Sequence, residues 1–64
     1  MEPVIVIKSG LNGYYAALIE YVADIGIDGV WEEVSKHMNQ RHTYELAAID
    51  ARLWARADGY DVNI

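Results

Sequence analysis

The sequence contains no cysteine. That excludes a disulfide framework and any zinc or iron–sulfur site built on thiolates. Phenylalanine is also missing, so all the aromatic side chains, two tryptophans and five tyrosines, carry a polar atom. Such amphipathic rings serve at the margin of a core and at an interface alike. The single proline, Pro3, is separated from Met1 by Glu2. The amino-terminal proline with a free amine that small tautomerases use is therefore absent. No apolar run is long enough to span a bilayer, because the longest helical stretch is interrupted by Glu20 and Asp24. The opening MEPVIVIKSG has an acid where a secretory signal carries positive charge, and Val4 to Ile7 is too short for a signal's apolar region. A cytoplasmic location, with no membrane partner, is the expectation.

Positive charge is missing from a long stretch. Between Ser9 and Ser35 there is no lysine or arginine, whereas Glu20, Asp24, Asp28, Glu32 and Glu33 all lie there. Beyond it, Lys36, Arg41, Arg52 and Arg56 balance Glu45, Asp50, Asp58 and Asp61. The formal net charge of −5 therefore resides in the first half of the chain. A field of this sign repels nucleic acid and attracts basic partners.

What is present suffices for one domain spanning residues 1–64 and no more. A chain of this size is close to the lower limit for a self-sufficient core, so packing or self-association must supply the staple that cysteine cannot. The hydrophobic content of 53% is too high for intrinsic disorder.

The pattern predicts a mainly α domain of three helices with short terminal β segments that pair, in the order β-α-α-α-β. Val4 to Ile7 is β-branched throughout and reads as a strand. Ser9 to Gly13 is a turn. A first helix is expected from Leu11 or Asn12 to Ile25, with an apolar arc including Tyr14, Leu18, Tyr21 and Val22, ended by Gly26. A second is expected from Asp28 to Asn39, with Ile27, Val30, Trp31, Val34 and Met38 on one face. A third, capped by Thr43 and ended at Asp58-Gly59, is rich in alanine, with Leu46, Ile49, Leu53 and Ala57 as its inward stripe. Tyr60 to Ile64 alternates with period two and reads as a strand facing Val4–Ile7.

Among residues able to carry chemistry, Asp50 lies within the apolar arc of the third helix. A buried carboxylate must be paired or must take up a proton. A structural bond, with His37 as a candidate partner, a place in a dimer seam, and general acid–base work are the three readings open to it. His37 and His42 are five apart, which fits neither a helical metal pair nor a zinc-finger spacing. Ser9-Gly10-Leu11-Asn12-Gly13 lacks the lysine and the length of a phosphate-binding loop. No metal, cofactor or catalytic residue is expected, and the chain is read as a non-enzyme.

In size, acidity and lack of cysteine the chain resembles small phage-encoded inhibitors and small bacterial regulatory proteins. The resemblance implies a protein partner and identifies no residue. The expected function is a protein-binding module, an inhibitor or regulatory partner of a basic protein, which would act as a nucleic-acid mimic where the partner binds nucleic acid. Its expected contact residues are Glu20, Asp24, Glu32 and Glu33 with Tyr14, Tyr21 and Trp31, and a homodimer is compatible with the wide apolar arc. The alternative is a small DNA-binding regulator reading through helix 43–57, with Arg52 and Arg56 as its contacts. Against it stand the acidic first turn of that helix and the overall charge.

Overall fold

The computed structural model describes residues 2–23 and 28–64. The chain runs β1 (Val4–Gly10), β2 (Gly13–Val22), β3 (Val30–Lys36), α1 (Tyr44–Asp58) and β4 (Asp61–Val62). The strands form one sheet in the order β3-β2-β1-β4. β1 and β2 are an antiparallel hairpin, with Ile5 opposite Leu18 and Ile7 opposite Ala16. β3 adds antiparallel to β2, and β4 adds parallel to β1 through Val4–Asp61 and Ile5–Val62.

The three-helix, predominantly helical architecture expected from the pattern is therefore wrong. The segments read as first and second helices are β2 and β3, and among the described residues only the third of the expected helices is a helix. The physical reason is legible in β2. Its register places Tyr14, Ala16, Leu18 and Glu20 toward α1 and Tyr15, Ala17, Ile19 and Tyr21 on the opposite face. Both faces are largely apolar, so the alternation that marks a half-buried strand is absent. The same residues project as a very broad arc on a helical wheel. In β3 the pairing jumps from Leu18–Ser35 to Ile19–Glu33, leaving Val34 as an extra residue. That bulge breaks the period of two and mimics helical spacing. The expected end of the first helix and the staple residue Ile27 lie outside the described residues.

α1 has the predicted boundaries. The Thr43 hydroxyl accepts from the Leu46 N–H at 3.2 Å, satisfying one orphan donor of the first turn. Gly59 adopts φ 77°, and its N–H donates to the Ala55 carbonyl, closing the helix in a left-handed cap. The face it turns to the sheet is the reverse of the expected one. Ala47, Ala48, Ala51 and Ala55 are buried, whereas Leu46, Ile49 and Leu53 are 43%, 51% and 62% exposed.

Alanines bring the helix axis close to the sheet, and the volume between them is filled from the strands. Ile5 and Leu18 reach up against Ala51 and Ala55, with Ile7, Trp54 and Tyr60 closing the margins. Trp54 and Tyr60 meet edge-on at 6.4 Å. A larger side chain on the buried face would force the helix off the sheet. Ala51→Leu is expected to cost about 1–3 kcal/mol in urea unfolding, while Leu53→Ala changes stability by no more than about 0.5 kcal/mol. The reverse ranking would contradict this orientation of α1.

Candidate functional site

Asp50 sits where α1 leaves the shelter of the sheet, and it is 7% exposed. Its two carboxylate oxygens accept from Arg41, one from Nε at 2.7 Å and the other from Nη2 at 3.0 Å. This forked pairing is the strongest geometry available to an arginine and a carboxylate. Arg41 is itself fixed by its backbone, which exchanges two hydrogen bonds with Tyr14 at 2.7 and 2.8 Å. Gly13, next to Tyr14, has φ 125°, and a Cβ there would collide with the Arg41 carbonyl. The segment between β3 and α1 is thus clamped at both ends, to the start of β2 and to the middle of α1.

His37 extends the β3 pairing, its N–H donating to the Ala16 carbonyl at 2.8 Å. Its Nδ1 lies 4.0 Å from Asp50 and accepts the Asn39 N–H at 3.1 Å. At 4.0 Å the histidine is a neighbour of Asp50 rather than its principal partner. The carboxylate's main partner is Arg41. Lys36, His37, Met38, Asp50, Leu53 and Trp54 line an open groove of about 460 Å³ beside these groups.

The hydrogen bond from Arg41 holds the Asp50 carboxyl below its ordinary value, burial works in the other direction, and the charges of Arg41 and His37 add to the lowering. Arg41 is correspondingly raised by its bond to Asp50. A carboxylate so engaged is ionised at neutral pH and fully used, so its role in this geometry is to hold the clamp. Among the described residues, no group of three or more histidines and acids is placed to hold a metal ion.

The residues expected to contact a partner lie on strands instead of helices. Glu20 and Glu32 stand directly opposite each other across β2 and β3, both exposed. On the reverse face Tyr21 and Trp31 also stand opposite, their rings edge-on at 5.5 Å. The Tyr21 hydroxyl accepts the Gly29 N–H at 3.1 Å, fixing the approach to β3. Glu33 shares that reverse face, accepting from the Tyr15 hydroxyl at 3.1 Å and lying 3.6 Å from Lys8. Desolvation first, then the bond to Glu33 and its charge, raise the Tyr15 phenol. Tyr14 is at the far end, against Tyr44 at 6.1 Å. Asp24 lies outside the described residues.

Sequence reasoning therefore placed Glu20 with Glu32, and Tyr21 with Trp31, in one region for the wrong reason. It missed that β3 is an edge strand, exposed at every residue. The β-branched and aromatic residues Val30, Trp31 and Val34 within one short segment were the available signal.

The clamp has a pH signature. Because the folded-state value of Asp50 is depressed, its contribution to stability is fully present above the unfolded aspartate value, about 3.9, and is lost as pH falls through the folded value. Asp50→Asn is expected to lower Tm by several degrees at pH 7, with the gap to the parent chain closing below about pH 4. A gap that is independent of pH would remove the ion pair from the account. Compared with protein-family models, with curated proteins and with solved structures, the chain matches none.

Proposed function

We propose that this domain is a protein-binding module that receives a basic, extended segment of its partner along β3. The observation that carries the reading is the pair formed by Glu32 on the terminal strand β3 and Glu20 opposite it on β2. Like charges directly opposite on adjacent strands are destabilising, and a lysine or arginine laid across them would relieve the repulsion. β3 is the terminal strand of the sheet on that side, with no strand beside it among the described residues, so its outward N–H and C=O groups face the side where an added strand would pair.

The side chains flanking that edge set its preference. Glu20 and Glu32 face one side of the sheet, and Glu33 with the Tyr21–Trp31 pair face the other. A segment alternating basic and apolar residues would meet carboxylates on one face and an aromatic shelf on the other. Edge-to-edge pairing of two β3 strands from separate copies about Glu33 would instead oppose acid to acid. The charge pattern therefore favours a basic partner at this edge over a second copy. Reading through α1 into DNA has less support, because the outward side of α1 is the apolar stripe of Leu46, Ile49 and Leu53.

The test is an NMR titration with a capped octapeptide of alternating lysine and valine. Amide shifts are expected to concentrate in Val30–Lys36 and the facing part of β2. Glu20→Gln with Glu32→Gln is expected to weaken binding roughly threefold to tenfold, the range for two exposed ion pairs, and to flatten its salt dependence. Shifts confined to α1, or unchanged affinity of the double variant, would overturn the proposal.

A further inference from the structure

The outward side of α1 is a second surface, separate from β3. Leu46, Ile49 and Leu53 follow one another at spacings of three and four, the period of a helix–helix seam. They are the residues a helix of this length would ordinarily bury, and no element among the described residues covers them. Advancing about 100° per residue, Glu45, Arg52 and Arg56 all fall on one flank of this stripe. Arg52 and Arg56 are one turn apart, a like-charge pair that is unfavourable in an isolated helix. Glu45, in the first turn, is too far along the helix to separate them.

We infer that α1 is the interface of a homodimer, packed antiparallel on α1 of a second copy about a two-fold axis passing beside Ile49. A two-fold interface is self-complementary, so each contact occurs twice. With the axis between Ile49 and Asp50, Leu46 of one copy meets Leu53 of the other and the two Ile49 side chains meet at the centre. In an antiparallel pair the same flank of each helix lies on the same side of the seam. Glu45 of each copy then comes opposite the interval between Arg52 and Arg56 of the other. The arginine pair, unexplained within one chain, gains its carboxylate, and this match makes the second copy the occupant. A parallel arrangement would put this flank of the two helices on opposite sides of the seam, so Glu45 would meet neither arginine of the other copy.

The charge elsewhere does not oppose this. Asp50 lies on the flank of the stripe opposite Arg52 and Arg56 and is neutralised by Arg41, and the acidic edge at β3 is not part of the seam. The alanine packing of α1 has a consequence here as well: a chain near the lower size limit turns its larger helical side chains outward, where a second copy supplies the burial that the monomer forgoes. The seam is short, so a dimer at the small end of stable interfaces is expected.

Sedimentation velocity over a concentration series tests the inference. The parent chain is expected to pass from monomer to dimer with rising concentration, and Ile49→Glu, which puts two carboxylates on the axis, is expected to be monomeric throughout while keeping the parent's circular dichroism and, at dilutions where the parent is monomeric, its Tm. Glu45→Arg is expected to weaken the dimer at least threefold, and Glu45→Arg combined with Arg52→Glu and Arg56→Glu to restore it. A parent chain that stays monomeric up to about millimolar concentration, the weak end of the affinity scale, would overturn the inference, as would a dimer that survives Ile49→Glu. Loss on Glu45→Arg without recovery in the triple variant would overturn the antiparallel register.

Discussion

The close approach of α1 to the β1–β2 hairpin governs the rest of this molecule. It is made by alanines: Ala51 is fully buried and Ala55 nearly so, lying on Ile5, Ala16 and Leu18. Ile5 is the one large side chain among the described residues that is completely inaccessible. With so little volume to bury, separation between helix and sheet is the critical variable. Each methyl-sized gap or excess at this seam is felt directly, because interiors are packed as densely as organic crystals. The seam also decides what is left outside. A helix that turns its alanines inward must turn its leucines and isoleucine outward.

The polar clamp follows from the same geometry. Asp50 lies at the edge of the buried alanine face, too sheltered to be left unpaired and close enough to the β3–α1 link to be reached from it. Arg41 supplies both hydrogen bonds, and its backbone pairing with Tyr14 returns the link to the sheet. The clamp fixes where α1 starts relative to β2. It leaves β3 as the terminal strand, where its Glu32 stands opposite Glu20 of β2. The two surfaces proposed for binding, the β3 edge and the outer stripe of α1, are thus both products of how the small core is assembled.

The readable parts of the sequence were those with local chemistry. Val4–Ile7 is β-branched without interruption, Thr43 and Gly59 are strong caps, and the alanine-rich run between them has high helix propensity. The tail's alternation and its pairing with β1 were also visible. β2 was misread because apolar residues on both faces erase the period of a strand, and β3 because the bulge at Val34 shifts its period. The orientation of α1 was misread because burial was assigned by hydrophobicity. Closeness of packing, which only a partner sheet can reward, chose the alanines instead. At the candidate site, burial and pairing of Asp50 could be anticipated from its setting in an apolar arc. Arg41 as its partner could not, since that depends on a link whose path is set by Tyr14.

The most direct test of this account is the set of methyl contacts made by α1, measured by carbon-edited NOE spectroscopy on the folded chain. The account predicts strong contacts from the Ala51 and Ala55 methyls to Ile5 and Leu18, and none from Leu53 to either. Contacts from Leu46, Ile49 and Leu53 to the β1–β2 residues, with the alanine methyls facing solvent, would contradict it.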